Sequence, residues 1–240
     1  MIYVTGDIHG DQVLWHKRID SFLKAGDTIL IPGDFGVGFF NGRFWSEELF
    51  FDYLANKEYS ICFCSGNHEN FDKLSRYQIS EWNGGRVHFI RPNVIHLMRG
   101  ELYNMSGKTL FVFGGGYSID KERRIPGVSW WPQEMPSEEE YRNGSEHLKQ
   151  CGYKVNYIIT HSAPADTVDY MSRLGKVRSI LAEERPLADY LMEVEEKSQY
   201  GKWFFGHYHI DEELPKNQYV IFNAIRELDS GKLVEMRNRQ

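Results

Sequence analysis

The sequence predicts an α/β protein whose strands carry polar residues to one edge of a sheet. Three observations lead there. Near-continuous apolar runs such as "DTILIP" and "YSICFC" fit strands buried on both faces. Segments with helical spacing stand between several of these runs. Five apolar strands end in Asp, Asn or His, four of them beside glycine, and the carboxyl ends of strands are where open α/β sheets bind ligands.

The elements follow in order. "IYV" is a strand running into "TGDIHG". A helix follows, capped by Asp11, with Val13, Leu14, Ile19, Phe22 and Leu23 inward. "DTILIPGDFG" is a second strand closed by a glycine turn. Phe44 to Leu54 reads as a helix, with Trp45, Leu49, Phe50, Tyr53 and Leu54 as core candidates. "YSICFCSGNHE" is a third strand with a polar end, and "FDKLSRY" begins another helix. "RVHFI", "VIHLMRGELYN" and "KTLFVFGGG" alternate as sheet, with "NMSGK" as a hairpin turn. Residues 117–136 have no period and read as a long loop, which in a compact domain is often functional. A helix covers Ser137 to Gln150. "KVNYIITHSAP" is a strand, followed by a loop and a helix from Pro186 to Lys197. "KWFFGHYH" is a strand with a polar end, and "YVIFNAI" with "KLVEM" forms a closing hairpin through "LDSG".

No linker, repeat or low-complexity tract interrupts the chain, so residues 1–240 read as one domain. Composition is that of a globular protein, with 41% hydrophobic and 26% charged residues. A formal net charge of −6 argues against long duplex nucleic acid as a partner. No apolar run approaches the roughly 20 residues that span a bilayer, so no membrane partner is expected. The N-terminus does not read as a secretory signal. Three cysteines, Cys62, Cys64 and Cys151, make no disulfide framework, and buried free thiols in a reducing cytoplasm are expected.

The polar groups at the five strand ends are Asp7 and His9, Asp34, Asn67 and His68, His161, and His207 and His209. Five of the nine histidines fall at such ends. A lone histidine there is more often a hydrogen-bonded structural residue, and a GD dipeptide is a common turn, so each motif is weak by itself. Together they make a set of imidazoles and carboxylates that suits Mn, Fe, Zn or Ni better than Ca or Mg. The set is too large for one tetrahedral zinc and sufficient for two ions sharing a carboxylate. Ions about 3.5–4 Å apart can clamp a phosphoryl group and lower the pKa of a bridging water.

The ordered set GDIHG, GDFG, GNHE, TH and GHYH resembles the calcineurin-like metallophosphoesterases, from residue 6 to residue 209. The resemblance implies a four-layer α/β/β/α sandwich of two mixed β-sheets with helices outside, and a dinuclear metal site at the C-terminal strand ends. It implies that Asp7, His9, Asp34 and His209 hold a first metal and that Asp34, Asn67, His161 and His207 hold a second, with Asp34 bridging. It implies that His68 protonates the leaving alkoxide or contacts the phosphoryl oxygen, while a metal-bridging hydroxide attacks phosphorus. Two divalent transition-metal ions are the expected cofactors, Mn first, with Fe or Zn next. Glu69 either orients His68 or serves as a helix N-terminal carboxylate.

The match also departs from the family. Protein serine/threonine phosphatases of this superfamily carry GDxxDR at the second motif, where this chain has "GDFGVG" with Val37 and Gly38 in place of the Asp and Arg. They also tend to have Arg before GNHE, where this chain has Ser65. The usual partner of the proton-donating histidine and two phosphate-gripping arginines are therefore missing. The expected substrate is a small phosphorylated molecule or nucleotide, a phosphomono- or phosphodiester. A phosphoprotein, a non-catalytic scaffold and a single-zinc hydrolase are the alternatives. Substrate phosphate would be gripped from the 117–136 loop, a lid candidate, by Lys121, Arg123 and Arg124, with Arg43 as a further candidate.

Overall fold

The computed structural model describes residues 1–39 and 46–236. Arg43, Phe44 and Trp45 lie outside the described residues. Two mixed sheets with helices form the fold. In chain order the elements are β1 (Ile2–Thr5), α1 (Gln12–Leu14), β2 (Thr28–Ile31), α2 (Glu47–Ala55), β3 (Ser60–Phe63), α3 (Phe71–Leu74), β4 (Ile79–Trp82), β5 (Gly85–Arg91), β6 (Val94–Leu97), β7 (Glu101–Met105), β8 (Lys108–Phe113), α4 (Glu138–Gln150), β9 (Lys154–Thr160), α5 (Ala165–Arg173), α6 (Arg185–Lys197), β10 (Gln199–Phe205), β11 (Glu212–Leu214), β12 (Gln218–Val220), β13 (Ala224–Glu227) and β14 (Leu233–Met236).

One sheet runs β14-β13-β1-β2-β3-β6-β5-β4 and the other β11-β12-β10-β9-β8-β7. The centres, β1-β2-β3-β6 and β12-β10-β9-β8, are parallel, and the flanking pairs are antiparallel. The parallel strands alternate between two apolar clusters, as a two-residue side-chain period requires. Ile29, Ile31, Ile61 and Phe63 join Trp15, Phe50 and Leu54 in one cluster. Leu30 and Cys62 join Val112, Ile159 and Phe204 of the other sheet in a second. Phe111, Phe113, Ile158, Trp203 and Phe205 join Leu148, Val168, Leu187 and Leu191 of the helices in a third. Both faces of these strands are buried, which is why the runs read as continuously apolar.

Asp11 caps α1 as expected, accepting from the Leu14 amide at 2.9 Å. After three residues the turn widens into a π-helix over Trp15–Asp20. Leu14, Ile19 and Leu23 are inward, while Val13 is exposed because Trp15 fills the core beside Phe35 and Phe50. In α2 the inward residues are Phe50, Phe51 and Leu54, and Leu49 faces solvent. Ser137 closes a capping box on α4. Where the sequence reads as a loop after "THSAP", α5 forms on Ala165, Val168 and Met171, which are buried at i, i+3, i+6.

"YVIFNAI" is not one hairpin arm. Its first part, β12, pairs parallel with β10, and its second part, β13, pairs with β1 in the other sheet. The crossing is pinned by Asp211, whose carboxylate accepts from the amides of Phe222, Asn223 and Ala224 at 2.8–2.9 Å. The hairpin of β13 and β14 forms through "LDSG" as read. Cys62 and Cys64 are buried free thiols. No helix among the described residues is long and apolar enough to cross a membrane.

His88 and His96 face each other across β5 and β6, both buried, with Nδ1 atoms 3.1 Å apart. Burial lowers the proton affinity of both rings, and His88 and Arg99 lower that of His96 further. The unfolded chain, with imidazoles titrating near about 6.5, takes up protons that the fold refuses. Stability is therefore kept above that pH and lost as pH falls below it, with a slope of up to about 1.4 kcal/mol per pH unit from His96. Urea midpoints of the metal-free protein at pH 7.5, 6.5 and 5.5 check this. A His88→Phe/His96→Leu double variant is expected to show the shallower decline. Parallel declines would remove the pair as its source.

Candidate metal centre

The turns after β1, β2, β3, β9 and β10 bring Asp7, His9, Asp34, Asn67, His68, His161, His207 and His209 into one pit. Three sets have their ligand atoms within 4.8 Å of one another: Asp7 with His9 and His209, His9 with Asp34 and His68, and Asp7 with Asp34 and His161. The backbone is bent hard to do this. His9, Asp34, His207 and His209 all have φ between 52° and 68°, a region side-chain-bearing residues rarely enter and which clusters at functional sites. Gly66 and Gly206 are needed for space: a Cβ would lie 2.1 Å from Asp34 Oδ1 at the first and 2.2 Å from Asp7 Oδ1 at the second.

The contacts fix what each group presents to the pit. His161 Nδ1 lies 2.8 Å from the Pro32 carbonyl, which can only accept, so Nδ1 carries the hydrogen. In the neutral ring, Nε2 is then a lone pair. It faces Asn67 Oδ1 at 3.1 Å, His207 Nδ1 at 3.2 Å and Asp34 Oδ1 at 3.4 Å. Asn67 Oδ1 also lies 3.0 Å from His207 Nδ1. On the other side, His209 Nε2 lies 3.0 Å from His9 Nε2 and 3.2 Å from Asp7 Oδ2, and His9 Nδ1 lies 3.6 Å from Asp34 Oδ2. Acceptors converging on acceptors fit a cation between them, and this donor set of imidazole, carboxylate and amide oxygen fits a divalent transition metal.

The electrostatics agree. Burial pushes the Asp34 carboxyl up, but the imidazoles of His161, His68 and His9 and the His68 amide outweigh it and hold the group ionised, well below the usual range. Asp7 is likewise pushed up by burial and held down by His209 and His161. Burial and neighbouring imidazole charge push His207 down to about 3, so its ring is uncharged at neutral pH. His68 is lowered by burial, with Asp34 opposing.

Sequence reasoning missed two residues. Asn67 Nδ2 donates to Ser118 Oγ at 3.2 Å, and Ser118 donates its hydroxyl to Glu134 at 2.6 Å and its amide at 2.8 Å. This buried chain fixes which end of the amide faces the pit, an orienting arrangement typical of residues behind metal ligands. Both residues sit in the segment without a period, so no pattern marks them. The Glu69 side chain hydrogen-bonds to turns of the site rather than to the His68 ring or the first amides of α3. Its carboxylate, which burial and Asp34 push up to about 8, accepts from the Gly36 and Gly66 amides at 3.1 and 2.8 Å and ties two metal-site turns together.

Residues 117–136 contain two single 3₁₀ turns, Lys121–Arg123 and Pro132–Glu134. The segment borders a cavity of about 420 Å³ that opens on the pit. Of the three basic candidates, Arg124 alone lines it. Its guanidinium holds Asp120 at 2.8 Å and reaches His68 Nε2 at 3.1 Å. Arg123 is exposed, and Lys121 lies 4.5 Å above the Tyr117 ring.

The chain matches the family model of the calcineurin-like phosphoesterases over residues 1–211, a span that takes in every residue of the pit. A comparison with curated proteins returns no match. Val37, where protein phosphatases of that superfamily carry Asp, is fully buried in apolar surroundings and offers His68 no carboxylate.

Proposed function

Because the chain belongs to the calcineurin-like phosphoesterase family, we propose that it hydrolyses the phosphomono- or phosphodiester bond of a small phosphorylated molecule or nucleotide. The observation that carries this is that imidazole nitrogens face both oxygens of Asp34, His9 at Oδ2 and His161 at Oδ1. Asp7, His9, Asp34 and His209 would hold one divalent ion and Asp34, Asn67, His161 and His207 the second, at the C-terminal strand ends of a four-layer single domain. The alternation of strand side chains among three apolar clusters supports those layers. When bound, two such ions, Mn or else Fe or Zn, would supply Lewis-acid charge for a phosphoryl group and for a water nucleophile at neutral pH.

The chain's own residues do the rest. Arg124, which lines the cavity beside the pit, offers a guanidinium in place of the missing arginines. A phosphate oxygen is a stronger acceptor than an imidazole nitrogen, so substrate draws the guanidinium off His68 Nε2. That nitrogen, a lone pair while it accepts from Arg124, is then free to take up the proton lost by the attacking water and pass it to the departing alkoxide, which leaves badly without one. Glu134 and Ser118 keep the Asn67 oxygen turned inward. Free buried thiols fit a reducing compartment such as the cytoplasm.

Assays on p-nitrophenyl phosphate and bis(p-nitrophenyl) phosphate test the reading. Turnover is expected to rise with added manganese and to vanish with a chelator. Arg124→Ala is expected to lower kcat/KM by about 10- to 100-fold, the scale of one charged hydrogen bond, and Arg123→Ala to leave it unchanged. No turnover with Mn, Ni, Co or Zn would favour a non-catalytic scaffold.

A further inference from the structure

The cavity beside the pit has two unlike ends. One end is Asp34, Asn67, His68, His207 and His209. The other is Val168 of α5, Val177 and Ile180 of the connection to α6, and Leu187 and Ala188 of α6. Val177 and Ile180 are half-buried, packed against the helix-side apolar cluster while bordering the open space. Two cations also border this end, and both are occupied. Lys176 is paired with Glu212, and Arg178 grips both oxygens of Glu184, with NH1 at 2.8 Å from Oε2. A second phosphate, a sugar acid or an acidic peptide would have to break those pairs. Apolar matter has only water to displace, and the volume is that of a small-molecule site.

We infer that this end is a leaving-group site for an uncharged aryl or branched-alkyl group, so that the substrate is a phosphoester of an apolar alcohol or phenol. The inference rests on the phosphoesterase reading above. Continuity with the pit commits the space to that occupant, since an ester whose phosphorus lies beside Asp34 and Arg124 must send its alcohol portion along the cavity. Water adds its oxygen to phosphorus, the bond from phosphorus to the apolar alcohol breaks, and the departing oxygen takes a proton. No oxidant or second reactant enters.

The test separates this claim from the activity it depends on. Benzylphosphonate and methylphosphonate carry the same head group, and their P–C bonds are not hydrolysed. In calorimetric titrations of manganese-reconstituted protein, benzylphosphonate is expected to bind about tenfold or more tightly, the scale of a small apolar group in a matching pocket. Ile180→Asp and Val177→Asp are expected to bring the two affinities together. The comparison on the unaltered protein stands even if neither variant folds. Equal affinities, or no measurable binding of benzylphosphonate, overturn the inference. In parallel, benzyl phosphate and glycerol phosphate are assayed for release of phosphate. A phosphonate preference without hydrolysis of either ester keeps the apolar site and removes the phosphoesterase reading. Equal binding with hydrolysis of both does the reverse.

Discussion

Replacing Asp34 by asparagine is expected to cut turnover by about 10³-fold, the upper range for loss of one key electrostatic contact in an active site, and to reduce metal content per chain. Asp34 turns one oxygen to each half of the pit, Oδ2 towards His9 and Oδ1 towards His161. Asparagine keeps the size and tolerates the left-handed backbone that Asp34 adopts at φ 52°. Its oxygen can still accept from the His68 amide, a 2.7 Å contact in the native chain. What it loses is the charge and one acceptor: an NH₂ now points at an imidazole nitrogen or an ion. The fold should survive, since the Asp34 carbonyl still receives the Ile8 and His9 amides. Turnover and bound metal are measured together with a thermal melt of the metal-free protein. Native turnover with native metal content would remove Asp34 from the centre.

His68→Ala is expected to cost about 10²- to 10⁴-fold, the range for a positioned general acid or base, with a dependence on the leaving group. His68 sits between the pit and Arg124, edge-on to the His9 ring at 4.7 Å, and its amide rather than its ring is tied to Asp34. Its ring meets the substrate once Arg124 has left Nε2, while its backbone holds the turn. An alkyl ester, whose oxygen departs only with a proton, should suffer the full loss. A p-nitrophenyl ester, whose phenolate departs unaided, should suffer much less. Rate constants for the two ester types with native and variant protein decide it. Equal losses on both would mean that His68 binds substrate and does not move a proton.

The pit was legible in the sequence because its residues stand at ends of strands, where glycine and polar residues interrupt strong apolar runs. Asp7, Asp34, Asn67, His161 and His207 each follow such a run within a few residues. The parallel strand centres were legible for the same reason. What was not legible depends on contacts between distant segments. Glu134 and Ser118 matter only because the chain folds back over Asn67, and nothing local sets them apart from their neighbours. Val177 and Ile180 read as loop residues, and their value comes from the wall they make with α5 and α6. The crossing of β12 and β13 between sheets is set by Asp211, the first of three consecutive acidic residues after the GHYH motif. Arg124 and Arg123 are adjacent in sequence, and only the 3₁₀ turn decides which one faces the cavity.

Metal content bears most directly on the central claim that these side chains form a two-ion site. Protein stripped with chelator, reloaded with manganese and freed of excess is analysed by atomic-emission spectrometry. The two-ion proposal predicts two equivalents per chain, falling to one or fewer in Asp34→Asn. One equivalent in the native protein, or none, would contradict the account.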